Sequence, residues 1–182
     1  MAYINTGNDL PGIRGLMAFR PEIATALNVL AEALLRDNTG LSRGERELIA
    51  GFVSYLNECE YCQHAHSALA EHYLACDMAY MDRIKADFRS SDLSEKMKIL
   101  LEVASSVQKG GKHVTEQQIQ NARNAGATDL EIHDTVLIAA AFCMFNRYVD
   151  GLGTSAPADP VFYRQRAPQR AVEGYGGYDP RN

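Results

Sequence analysis

The chain has 182 residues, 46% of them hydrophobic, with 18 Lys and Arg against 23 Asp and Glu, four Cys and no Trp. That length suits one domain with a small appendage, and a core large enough to need no disulfide staples. A formal net charge of -5 argues against a nucleic-acid partner, which wants a basic face, and no apolar run reaches the ~20 residues of a membrane span.

Residues 1–20 carry Gly7, Pro11, Gly12 and Gly15 and read as an irregular lead-in. They lack the basic-then-apolar pattern of a secretory signal, so a soluble, cytoplasmic protein is expected, in a compartment where stable disulfides are uncommon. No proline falls between Pro21 and Pro157, which leaves the long middle free to be helical. Pro21 suits a first helical turn, and Ile23, Leu27, Leu30, Leu34 and Leu35 recur at helical spacing to about Arg36. After the turn Asn38-Thr39-Gly40, Ser42 with Glu45 is a capping box for a helix to about Leu56, with Leu48, Ile49, Phe52 and Val53 on its apolar face.

A third helix is expected from near Cys59 to about Leu74, and a fourth, capped by Asp77, through Phe88. Ser94 opens a fifth, with Met97, Leu100, Leu101, Ala104 and Val107 as its stripe, stopped by Gly110-Gly111. Thr115 with Gln118 starts a sixth that ends at Gly126, and Thr128 with Glu131 starts the last long one, to about Tyr148 and Gly151. No segment alternates at period two, so the expected fold is all-α, with a core domain over residues 21–155. Residues 156–182 hold four of the six prolines together with Phe162, Tyr163, Tyr175 and Tyr178. They read as an extended arm against a neighbouring subunit, or as a mobile tail.

The chemistry concentrates in Asn57-Glu58-Cys59-Glu60-Tyr61-Cys62-Gln63-His64-Ala65-His66. On a helix, Cys59 and Cys62 are i,i+3 neighbours, close to disulfide reach, and His66 shares their face while His64 points away. A helix N-terminus alone supplies too little to bring a thiol from ~8.5 to about 7, which takes roughly 2 kcal/mol. His66, as a base, can supply the rest by leaving a thiolate–imidazolium pair. Glu47, Gly51 and Ser54 form a small, polar line on the preceding helix that can lie against this face if the two helices pack antiparallel. Glu47 is then a candidate proton relay; on spacing alone, the plainer reading is an exposed Glu in the charged run Arg43–Glu47.

The run Leu41-Ser42-Arg43-Gly44-Glu45-Arg46-Glu47-Leu48-Ile49-Ala50, followed by Cys59, Cys62 and His66, resembles the AhpD-like alkylhydroperoxidases of the carboxymuconolactone decarboxylase superfamily. Phe145-Asn146-Arg147-Tyr148 resembles the last core helix of that group's peroxidase-related branch. The resemblance implies a helical hairpin carrying the C-x-x-C and homo-oligomers, often trimers or hexamers. The implied activity is thiol-dependent reduction of a hydroperoxide substrate, recharged by an external dithiol or protein thiol, with no cofactor. By position it makes Glu47 the proton relay, His66 the base, and Cys59 and Cys62 the redox pair, with Cys62 attacking and Cys59 resolving. The order of the two cysteines stays open, because Cys59 is nearer the helix start. One departure is Tyr61, where familiar members carry His before the second Cys.

Other readings of the same residues are two buried structural thiols, or a zinc site that Cys59, Cys62 and His66 would leave one ligand short. At the level of function the rivals are a protein-disulfide reductase or redox sensor, and a non-catalytic helical oligomer. Cys76 and Cys143 read as core thiols, His64, His72, His113 and His133 as bystanders, Arg147 as a solvated or structural residue, and Met78, Met81, Met97 and Met144 as core.

Overall fold

The computed structural model describes residues 2–176. Among the described residues nine α-helices follow one another: α1 (Ile13–Phe19), α2 (Pro21–Arg36), α3 (Arg43–Leu56), α4 (Glu60–Leu74), α5 (Met78–Asp87), α6 (Glu95–Lys109), α7 (Glu116–Asn124), α8 (Asp129–Gly151) and α9 (Pro160–Glu173). Short 3-10 turns follow α5 and α6, and the described residues contain no strand. The expected caps are present. Reciprocal capping boxes close the starts of α3, α7 and α8, and Asp77 and Ser94 accept from the first turns of α5 and α6.

Helices α3 and α4 form the hairpin around which the rest packs. Asn57 and Glu58 reverse the chain, Glu58 in the left-handed region at φ 60°, and Cys59 caps α4 with its N–H donating to the Ser54 carbonyl at 3.0 Å. Small side chains bring the two helices close. A β-carbon on Gly51 would stand 3.2 Å from the Ser67 backbone nitrogen, tighter than ordinary contact. The opposite face of α3 buries Leu48, Ile49, Phe52 and Val53 among Leu100, Leu101, Ile138 and Phe142 of α6 and α8.

Two polar clusters fix this arrangement at opposite ends of α3. Arg46 is 1% exposed and donates to the carbonyls of Leu34, Thr39 and Leu41 and, at 2.7 Å, to the Asp134 carboxylate. It therefore ties the α2–α3 turn to α8. At the other end Asn146 donates to Ser54 Oγ at 3.0 Å and accepts from Asn57 at 2.8 Å, while Gln108 donates to Asn57 at 2.9 Å. The turn carrying the cysteines is thus held by α6 and α8.

Three expectations need correction. The lead-in is not wholly irregular: α1 forms, because Ile13, Leu16 and Met17 present an apolar face that buries against the core. The segment from 156 is not an extended arm over 160–173. Asp159 caps a helix with Pro160 in its first turn; Tyr163, Ala167 and Ala171 face α4 of the same chain, and Pro168 lies on the exposed side. Tyr178 and the rest of residues 177–182 lie outside the described residues. Met144 is exposed on α8, whereas Met81 and Met97 are in the core as expected.

Candidate active site

Packing α3 antiparallel on α4 carries Glu47 to His66. The Glu47 side chain is 1% exposed, so it is not the surface residue that its charged run suggested. His66 Nδ1 stands 2.7 Å from Glu47 Oε2. An ionised carboxylate only accepts, so Nδ1 carries the hydrogen and Nε2 is the basic ring nitrogen. The imidazole sits edge-on to Phe142, with ring centroids 4.5 Å apart.

His66 and Cys62 both line a cavity of about 120 Å³. Its other walls are largely aromatic, with Tyr61, Phe142, Phe145, Phe162 and Tyr163 around it and Arg14, Arg166 and Arg170 among its lining. Helix α9 supplies one side. Tyr61, standing between the cysteines, packs edge-on against Tyr163 at 5.8 Å and over Gly12. Gly12 adopts φ 58°, and a β-carbon there would lie 2.2 Å from the Tyr61 ring.

Cys59 is not part of the cavity lining. It is fully buried, with Cys62 3% exposed, in a cluster with Val149 that Ile13 and Tyr61 cover. All four cysteines are free thiols. A hydrogen bond with Cys62, then burial, pushes the Cys59 thiol far above the ordinary thiol range. Asp150 of α8, whose own pKa is raised by burial, adds its charge to the same upward push on Cys59. Cys59 thus holds its proton next to the Cys62 sulfur, while Cys62 faces the cavity that His66 also lines.

The remaining candidates lie apart. His64 pairs with Glu60 at 3.1 Å, and His133 with Asp134 at 3.0 Å. Arg147 donates to the Cys143 carbonyl at 2.9 Å, closing its own helix turn. Cys143 is buried near Asn57, and Cys76 is partly exposed away from the pair. Among the described residues, no group of three or more His, Cys, Asp or Glu side chains is arranged to hold a metal. Two features were missed from sequence. Asp150 gives no signal there, lying far along the chain from Cys59. In the sequence Tyr175 reads only as an aromatic of the arm, yet its hydroxyl donates to Glu47 Oε1 at 2.9 Å.

The all-α fold built around this hairpin is shared with known proteins. The carboxymuconolactone decarboxylase family model matches residues 21–75 and 78–154, and the chain belongs to that family. Among solved structures it is similar to an AhpD-core, peroxidase-related protein from Ralstonia eutropha JMP134. Identity is 28% and the TM-score 0.76, over 85% of this chain and 81% of that one. A peroxidase-related protein from Silicibacter sp. TM1040 is 26% identical, with a TM-score of 0.75 over 85% of this chain and 78% of that one. A protein of unknown function from Agrobacterium tumefaciens, 18% identical with a TM-score of 0.65 over 79% of this chain and 97% of that one, shares the fold. No protein of curated function matches the chain.

Proposed function

We propose that the protein is a thiol-dependent peroxidase acting on organic hydroperoxides. The observation that carries this reading is the 2.7 Å His66–Glu47 pair opening on an apolar cavity that Cys62 also lines. His66 takes the Cys62 proton, and the thiolate attacks the terminal oxygen of R–O–O–H. The O–O bond breaks, Cys62 becomes a sulfenic acid, and the alkoxide leaves as the alcohol with the proton that His66 held. The Cys59 thiol then displaces hydroxide from Cys62, releasing water and forming the disulfide. An external dithiol reopens it by exchange and is itself oxidised to a disulfide. Glu47 stabilises the imidazolium throughout. The retention of the Cys59 proton supports Cys62 as the attacking residue, and the aromatic lining supports an alkyl or aryl hydroperoxide.

Burial of both sulfurs weighs against a folded protein disulfide as the first oxidant. A cytoplasmic homo-oligomer, a trimer or hexamer, belongs to the same proposal. On α8 the exposed residues Leu130, His133, Leu137, Ala140, Met144 and Arg147 recur at alternating three- and four-residue steps, the seam that pairs one helix with another. Peroxide consumption with a dithiol donor tests the function. Wild type turns over, Cys62→Ser is inactive, and Cys59→Ser gives at most a single turnover of its sulfenic acid. Wild-type turnover no greater than that of either variant overturns the peroxidase reading.

A further inference from the structure

Glu47 uses both of its carboxylate oxygens, and only one faces the histidine. The other accepts from the Tyr175 hydroxyl at 2.9 Å. Tyr175 lies just beyond α9, and three independent contacts hold it there. Its ring stacks on His66, centroids 6.4 Å apart and planes 19° from parallel. Its N–H and that of Gly176 donate to Glu32 Oε2 on α2. The Arg170 guanidinium lies 5.5 Å from its ring centroid. The chain reaches this position through Gly174, at φ 70°, where a β-carbon would stand 2.6 Å from Glu32 Oε2.

From this convergence we propose that Tyr175 is a positioning residue of the Cys62–His66–Glu47 centre, delivered by the segment that follows α9. The proposal rests on the functional reading above for the roles of Glu47 and His66. A buried carboxylate needs donors on both oxygens, since a charge left half-satisfied in an apolar site is costly. With Tyr175 on Oε1, the carboxylate plane is set so that Oε2 meets His66 Nδ1, and the tyrosine ring shields the imidazole. Burial and the adjacent Glu47 hold the phenol in its protonated form, so it stays a donor across the working pH range. The other titratable or charged groups around the pair include Tyr61, Cys62 and Tyr73 from α4, Glu32 and Arg36 from α2, Tyr163, Arg166 and Arg170 from α9 and Arg14 from α1. Helix α8 presents Phe142 there.

The experiment compares wild type, Tyr175→Phe and Gly174→Ala in the rate of Cys62 alkylation by iodoacetamide against pH, with the modified site located by mass spectrometry. Thermal melts and peroxide turnover are measured alongside. Losing a hydrogen bond to a charged acceptor shifts a protonation equilibrium by roughly one to two pH units. Tyr175→Phe keeps the stacking ring and loses only the hydroxyl, so the acid limb of the alkylation profile moves to higher pH by that order. Gly174→Ala keeps the hydroxyl but displaces it, and moves the limb the same way. A Tyr175→Phe profile that overlays wild type, whatever happens to the melting temperature, overturns the proposal. Peroxide turnover separates the two claims. A shifted profile in a protein that consumes no peroxide upholds Tyr175 and sinks the peroxidase; normal turnover with an unmoved profile does the reverse.

Discussion

Glu47→Gln is a nearly isosteric change with a large expected effect. Glutamine keeps an oxygen for Tyr175 but removes the charge and places an NH2 group where Oε2 accepts from His66. A charge-assisted bond of about 1.5–3 kcal/mol is replaced by a neutral one of about 1 kcal/mol. The difference, about 0.5–2 kcal/mol, lowers the population of the thiolate–imidazolium pair by roughly 2- to 30-fold. A second effect adds to this. The amide N–H donates to Nδ1, which moves the ring hydrogen to Nε2 and removes the basic nitrogen. Inverting a tautomer in this way costs a Ser-His-Asp triad about ten-thousand-fold in turnover. Cys62 alkylation at pH 7 should therefore slow by at least roughly 2-fold and peroxide turnover by about 100-fold or more. Because Glu47 acts through His66, the Glu47→Gln/His66→Gln double variant should be no slower than His66→Gln alone. A folded Glu47→Gln protein with wild-type alkylation rates at every pH would refute the relay.

Two further predictions concern the scaffold. Gly12→Ala should lower the melting temperature by several degrees and raise the accessibility of Cys62 to alkylation, since the new methyl group meets the Tyr61 ring in a backbone conformation unfavourable for alanine; an unchanged melt and alkylation rate would contradict this. Glu131 is buried, which works to raise its pKa, yet the hydrogen bonds from Lys96 and Thr128 prevail and hold it below the ordinary 4.5. Its ionised form is thus favoured by folding, so its contribution is complete above about 4.5 and is lost as pH falls through the lower native value. Glu131→Gln should lower the melting temperature by about 2–4 °C at pH 7, with the gap closing in acid; an equal gap at pH 7 and pH 3 would contradict the assignment.

Much of the helical order was legible because its signals are local. Ser42 with Glu45, Thr115 with Gln118 and Thr128 with Glu131 each announce a helix start within four residues, and the structure has a capping box at each. Cys62 and His66 were legible together for the same reason, standing one turn apart on α4, whereas Cys59 sits at its cap and outside the cavity lining. Glu47 was ambiguous, because the charged run around it mixes residues of opposite fate. Glu45 caps in the open, while Arg46 and Glu47 are buried and satisfied by groups from α2, α8, α4 and the segment after α9. Helix α9 was hidden by its prolines and by a buried stripe of Tyr163, Ala167 and Ala171, too poor in large aliphatic residues to declare itself. Tyr175 and Asp150 reach the site across long stretches of chain, and no spacing rule connects them to it.

The wall that α9 and Tyr175 give the cavity also has a bearing on synthesis. Cys59, Cys62, His66 and Glu47 leave the ribosome early, ahead of the α6 and α8 residues that hold the hairpin turn. The aromatic side that closes over them comes from residues 160–176, made after every other part of the lining. A nascent chain therefore carries the cysteine pair before the wall that covers it has been made. Its thiols stay open to any oxidant or alkylating agent in the cell until residues 160–176 have cleared the ribosome and packed against α4 and Glu47.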